Sequence, residues 1–132
     1  MTKISILQKK AIRYLHKAYN NHPTTTIFKN SETLRINELY QLEVGKFMYD
    51  VINKLIPPAI LLMFTPTSDI HEHNTRHQSG IHIVPHRTKV AYKTILHQGP
   101  NNWSGIRESI KNSKTKKIFS FHLKKCIFET NI

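Results

Sequence analysis

Five histidines fall within sixteen residues and form the densest group of potential metal ligands: His71, His73, His77, His82 and His86. Neutral imidazole binds zinc, and three or four such groups can hold the ion. Their spacing, however, matches neither two histidines four apart on a strong helix nor a finger completed by cysteines. The sequence around the first two is typical of a polar loop. We therefore interpret the group as surface histidines and expect no metal site.

Two other motifs share single features with catalytic sites. Cys126 follows His122 by one helical turn, and a neighbouring imidazole can lower the pKa of a thiol. Both lie in an apolar helical pattern, however, which favours a packing role for the cysteine. Gly99-Pro100 lacks the preceding strand and the following Lys-Ser or Lys-Thr of a phosphate-binding loop. Neither motif predicts an active site.

The acidic residues are too scattered for metal-dependent phosphate chemistry. The only aspartates are Asp50 and Asp69, and no two acidic residues are adjacent in the chain. A two-metal polymerase or nuclease needs clustered carboxylates to hold both ions. We therefore expect that the chain by itself is not an enzyme and that it uses no cofactor.

The 132 residues carry a formal net charge of +12, and this charge is unevenly placed. Residues 1–22 hold five basic residues and no acid, residues 23–64 are balanced, and residues 65–132 hold eleven basic residues against four acids. Two basic ends around a neutral middle favour a polyanionic partner, of which nucleic acid is the commonest. The alternative is that the charge serves solubility alone.

The partner expected from this charge is RNA or an RNA–DNA duplex, bound through its phosphate backbone without readout of base sequence. The predicted contacts are the basic residues of both ends, namely Lys9, Lys10, Arg13, Lys17, Arg76, Arg87, Lys114, Lys116, Lys117, Lys124 and Lys125. Trp103 follows the Gly99-Pro100 turn closely, so it is predicted to anchor the core. Stacking of Trp103 on a base is the alternative.

Targeting signals are absent from the sequence. Basic residues interrupt Thr2–Leu15, so this stretch is not a signal peptide. The longest apolar run, Ala59–Phe64, is far shorter than the roughly 20 residues of a membrane span. A single cysteine excludes an internal disulfide framework. We expect an intracellular protein, nuclear or cytoplasmic, that is neither secreted nor bound to a membrane.

Apolar spacing predicts a mainly α fold with three principal helices, short helical turns and one small β-hairpin. The first helix carries the stripe Ile4, Leu7, Ala11, Tyr14, Leu15 and Ala18. The longest helix covers about residues 38–55 and ends before Pro57 and Pro58, which start a short helix. The last helix follows Ser113, with apolar positions in two adjacent rows, Ile118, Phe119, His122, Leu123, Cys126 and Ile127.

Residues 65–80 are predicted to form a polar loop between a helical region at 1–64 and a mixed region at 81–132. In that second region, Ile81–Val84 and Val90–Leu96 are strand candidates that would pair across residues 85–89. Gly99-Pro100-Asn101-Asn102 then reads as a turn.

Several short stretches, in this order and spacing, resemble one protein family over about residues 6–128. They are Leu7–Arg13, Leu39-Tyr40, Gly45–Tyr49, Leu55–Pro58, His71 with Asn74-Thr75-Arg76, Pro85 with Arg87-Thr88, Gly99-Pro100 with Trp103, Ile110–Ser113, Phe119 and Leu123–Lys125. The family is the reverse transcriptases of non-LTR (LINE-type, jockey-like) retrotransposons. The similarity is to their C-terminal part, the thumb and the segment after it.

The resemblance implies a fragment that helps to grip a template–primer duplex, while the parent activity, RNA-directed DNA polymerase, belongs to a palm encoded upstream. That palm would be a second partner, and its Tyr-x-Asp-Asp motif has no counterpart here. Ser104-Gly105-Ile106-Arg107 stands where the family has Asn-Ser-Leu-Pro, which suggests a decayed copy. Two alternatives therefore stay open: a transposon remnant with no activity, and a stand-alone small basic RNA-binding module.

Overall fold

The computed structural model describes residues 3–70 and 80–130, and the fold there is mainly helical, as predicted. A 3-10 turn, Thr67–Asp69, accompanies eight α-helices in these residues. The helices are α1 (Lys3–Leu15), α2 (Thr24–Asn30), α3 (Ile36–Ile52), α4 (Pro58–Leu61), α5 (Lys89–Tyr92), α6 (Ile95–Ser104), α7 (Glu108–Lys111) and α8 (Lys116–Thr130). Of the three predicted principal helices, α3 is the longest and the centre of the packing.

Helix α8 runs antiparallel to α3 along most of its length. At one end, the Tyr49 hydroxyl donates a hydrogen bond to the Ser113 carbonyl at 3.0 Å, and Lys116 forms an ion pair with Asp50. Further along, a Cβ placed on Gly45 would lie only 2.5 Å from Cδ2 of Leu123. A glycine inside α3 costs about 1 kcal/mol against alanine, and this close approach of α8 explains its presence.

The main core lies where α3, α6 and α8 meet. Met48 and Phe119 are completely buried there. The Phe119 ring packs against Tyr49 and Trp103, with centroid distances of 4.7 and 5.6 Å. Trp103 is 6% exposed, so its predicted role as a core anchor is confirmed and its face is closed to a base. These contacts join the basic C-terminal part of the sequence to the neutral middle.

Helices α1 and α2 build a smaller apolar cluster from Ile12, Ile27 and Phe28. The Gln8 side chain joins this unit to the start of α3. Its amide nitrogen donates to the Leu34 carbonyl, and its oxygen accepts from the Ile36 backbone nitrogen, both at 2.9 Å. The side of α1 that carries Gln8 and Ile12 thus faces the body of the protein.

Three non-glycine residues with left-handed backbone end the first three helices: Lys17 (φ 49°), Glu32 (φ 49°) and Lys54 (φ 56°). After each one, the next residue donates a backbone hydrogen bond five positions back in the closing pattern of a helix C-terminus, for example Leu55 to the Asp50 carbonyl at 2.8 Å. This closure ends α3 at Ile52, three residues earlier than the apolar pattern predicted.

The predicted β-hairpin is wrong. Residues 89–92 form α5 and residues 95–104 form α6, so the second strand candidate is helical. Helix capping explains why α5 forms here. The Thr88 hydroxyl accepts a hydrogen bond from the Ala91 backbone nitrogen at 3.1 Å and so starts a helical turn. Ile81 instead makes an isolated antiparallel bridge with Pro66, the bridge seen within residues 3–70 and 80–130.

The predicted turn at Gly99-Pro100-Asn101-Asn102 is also wrong, since all four residues lie inside α6. Pro100 removes one backbone donor from that helix. Packing compensates for the loss: Gly99, Pro100 and Trp103 are all buried, and a Cβ on Gly99 would lie 2.6 Å from the Met48 sulfur. Packing against α3 therefore keeps these residues helical although their sequence favours a turn.

Candidate nucleic-acid interface

Helix α8 has one buried side and one open side. Phe119, Leu123 and Ile127 recur every four residues and are buried against the core. Because successive residues are about 100° apart around a helix, positions 117, 121, 124 and 125 point away from that row. Each of these four residues is exposed. The second predicted apolar row is only partly packed: Cys126 is half-buried, whereas Ile118 is 45% exposed and His122 is exposed.

The open side of α8, which we call the α8 basic face, consists of Lys117, Phe121, Lys124 and Lys125. Phe121 is 66% exposed. Lys117 lies four residues before it, and the other two lysines lie three and four residues after it. Residues at these spacings are neighbours on a helix surface. The exposed aromatic residue therefore has three lysines as its neighbours on the helix surface.

Little acidic charge offsets this face. Lys125 lies 4.0 Å from Glu129, an exposed pair of the kind that contributes little. Within the described residues, Lys117 and Lys124 have no carboxylate within 4.0 Å. Lys116, by contrast, sits at the helix start in its ion pair with Asp50. The face is thus open to an external anion.

The predicted contacts on and after α1 differ in their availability. Lys10 and Lys17 are exposed, and Lys9 and Arg13 are half-buried. The Arg13 side chain donates from Nε to the His22 carbonyl at 3.2 Å and so holds the turn after α1. Arg13 therefore has a structural contact of its own, which a phosphate would have to share.

The remaining predicted contacts are spread over other segments. Arg87 and Lys114 are exposed residues of connecting segments. Arg76 lies outside the described residues, as do His71, His73 and His77. Three of the predicted contacts, Lys117, Lys124 and Lys125, lie together on one exposed face of α8.

Phe121 is the residue that the sequence analysis missed. The alternative of base stacking named Trp103 instead, whose ring is buried and has the Lys111 ammonium 5.8 Å from its centroid. The exposure of Phe121 could have been predicted from its position, because Phe121 falls outside both apolar rows of α8 and among the lysines of that helix. An aromatic residue at such a position is typical of a surface that contacts unpaired bases.

Other site classes find no support in the described part of the chain. Residues 3–70 and 80–130 contain no cluster of three His, Cys, Asp or Glu side chains suited to a metal ion. In the same residues, none of the helices has the length and apolarity required to cross a bilayer. No family model, curated protein or solved structure matches this chain.

Proposed function

We propose that this chain is a non-catalytic nucleic-acid-binding protein that holds RNA or an RNA–DNA duplex through the phosphate backbone. The observation that carries the proposal is the α8 basic face, in which the exposed residues Lys117, Lys124 and Lys125 neighbour the exposed Phe121 on one side of the helix. Lysines on a rigid helix position a polyanion, and they do so without reading its sequence.

The dimensions of the face suit a nucleic-acid strand. Lys117 and Lys124 are seven residues apart, which is about 10 Å along the helix axis. Charges on one strand of a duplex recur about every 3.4 Å along its axis, so the two lysines span roughly three nucleotides. Phe121 lies between them, where its ring can pack on a sugar or an unpaired base.

The absence of catalysis is part of the proposal. Asp50 is engaged with Lys116, and Asp69 lies in the 3-10 turn after α4. Separate aspartates of this kind do not supply the paired carboxylates of a polymerase site. The resemblance to the thumb region of non-LTR reverse transcriptases fits the same role, with polymerisation assigned to another polypeptide segment.

Salt dependence tests the proposal. Three phosphate contacts give a slope of about −2.7 in log K against log salt, so the affinity for a labelled RNA–DNA duplex should fall about 40-fold between 50 and 200 mM salt. Fluorescence anisotropy measures this directly, with RNA and DNA duplexes of the same sequence beside the hybrid. An affinity that does not change with salt would refute phosphate contact.

A further inference from the structure

Most of the apolar stripe of α1 lies on the outside of the protein. Leu7 is 62% exposed, Leu15 is 77% exposed, and Ile4 and Tyr14 are also exposed. These residues recur at three- and four-residue spacing, so they share one side of α1. We call this surface the α1 stripe.

The stripe is exposed because α1 is held by its other side. Ile12 inserts into the cluster with Ile27 and Phe28, and Gln8 bonds to the backbone at the start of α3. With α1 fixed in this way, the stripe has no partner within the described residues. Contiguous apolar surface rimmed by polar groups is typical of a protein or membrane contact site.

The pattern of α1 matches one side of a helix pair. Ile4, Leu7, Ala11 and Tyr14 alternate at spacings of three and four, the a and d positions of a heptad. Lys3 and Lys10 are seven residues apart and occupy the flanking g position, and both are exposed. Flanking charges select the partner of such a helix.

This charge pattern indicates which kind of molecule could cover the α1 stripe. A second copy of α1 packed antiparallel would bring lysine rows together, which disfavours self-association. An apolar helix flanked by glutamates would cover the stripe and neutralise the lysines. The basic charges lie along one edge only, since the opposite edge turns into the body at Gln8 and Ile12. A partner helix that carries acidic residues along the edge facing Lys3 and Lys10 therefore suits the α1 stripe better than a flat lipid surface does.

From these observations we infer that the α1 stripe is the docking site for an acidic amphipathic helix of a partner protein. The inference does not rest on nucleic-acid binding, because it uses α1 and the proposed function uses α8. It adds a protein-binding surface to a chain whose composition points only to polyanions.

The test uses two designed 21-residue peptides, each of three heptads with leucine at a and d. One carries glutamate at e and g and the other carries lysine there, so like charges keep each peptide from pairing with itself. Binding to the full chain is measured by fluorescence anisotropy. We expect the glutamate peptide to bind at least tenfold more tightly than the lysine peptide.

Variants locate the contact. Leu7→Ser with Tyr14→Ser should weaken binding of the glutamate peptide at least tenfold, while Leu62→Ser, at an exposed site outside α1, should leave it unchanged. Circular dichroism should show the same helix content in all three proteins, and hybrid-duplex binding should be retained by the double variant.

Four outcomes would overturn the inference. The first is equal binding of the two peptides, and the second is unchanged binding by the double variant. The third is a dimer of the chain that the double variant dissolves. The fourth is binding to vesicles of anionic phosphatidylserine that depends on Leu7 and Tyr14 while the peptides fail to bind, since this would assign the face to a membrane.

Discussion

Replacing Phe119 with alanine is expected to lower the free energy of unfolding by about 3–5 kcal/mol. Phe119 is completely buried and is the ring on which both Tyr49 and Trp103 pack. Its removal takes away the contact that fastens α8 to α3 and α6. Because whole domains are stable by only about 5–15 kcal/mol, the variant should be close to unfolding at physiological temperature.

The matched control for this variant lies two residues along the same helix. Phe121→Ala removes the same atoms from an exposed site, so unfolding should change by less than about 0.5 kcal/mol. Urea titration followed by circular dichroism measures both variants. Equal losses would contradict the packing of α8 described here, and a wild-type chain without a cooperative transition would favour the hypothesis of a decayed remnant.

The second large effect concerns binding. Changing Lys117, Lys124 and Lys125 together to glutamine should weaken binding to an RNA–DNA duplex about 100-fold at 50 mM salt. Each lost phosphate contact should also reduce the magnitude of the salt slope by about 1. The face is exposed, and within the described residues its ion pair is the long one between Lys125 and Glu129, so the folded state should persist.

A control of equal charge separates the α8 basic face from net charge. Lys29, Lys54 and Lys93 are exposed lysines of other segments, and their change to glutamine leaves the same net charge as the first triple variant. We expect this control to retain most of the affinity. If both triple variants lose affinity equally, binding follows overall charge and the proposed interface is wrong.

Apolar periodicity predicted the helical class and the centre of the fold because α3 and α8 bury their residues at helical spacing. Phe119 and Leu123 were both identified in this way, and both are buried. The shortness of the apolar runs predicted that no segment spans a membrane, and none of the helices in residues 3–70 and 80–130 is long and apolar enough to do so. These features depend on local pattern alone.

The wrong predictions concern segments whose conformation or orientation is set by tertiary contacts and capping rather than by the local sequence pattern. The burial of Gly99 and Pro100 against Met48 keeps α6 helical through a sequence that favours a turn. The Thr88 cap turns a β-branched stretch into α5. The orientation of α1 depends on Gln8, a polar residue that no apolar pattern marks.

The candidate site was predictable in part. Charge counting located the lysines of the last helix, but it could not separate Lys116, which pairs with Asp50, from Lys117, which does not. That distinction depends on the antiparallel packing of α3 and α8. The same packing decides that Phe119 is buried while Phe121 is exposed.

Lysine footprinting tests the central claim most directly. The full chain is treated with an amine-reactive reagent, with and without a saturating RNA–DNA duplex, and labelling of each lysine is measured by mass spectrometry. The account predicts that Lys117, Lys124 and Lys125 lose labelling on binding while Lys29, Lys54 and Lys93 keep it. Unchanged labelling of the three α8 lysines in the bound state would contradict it.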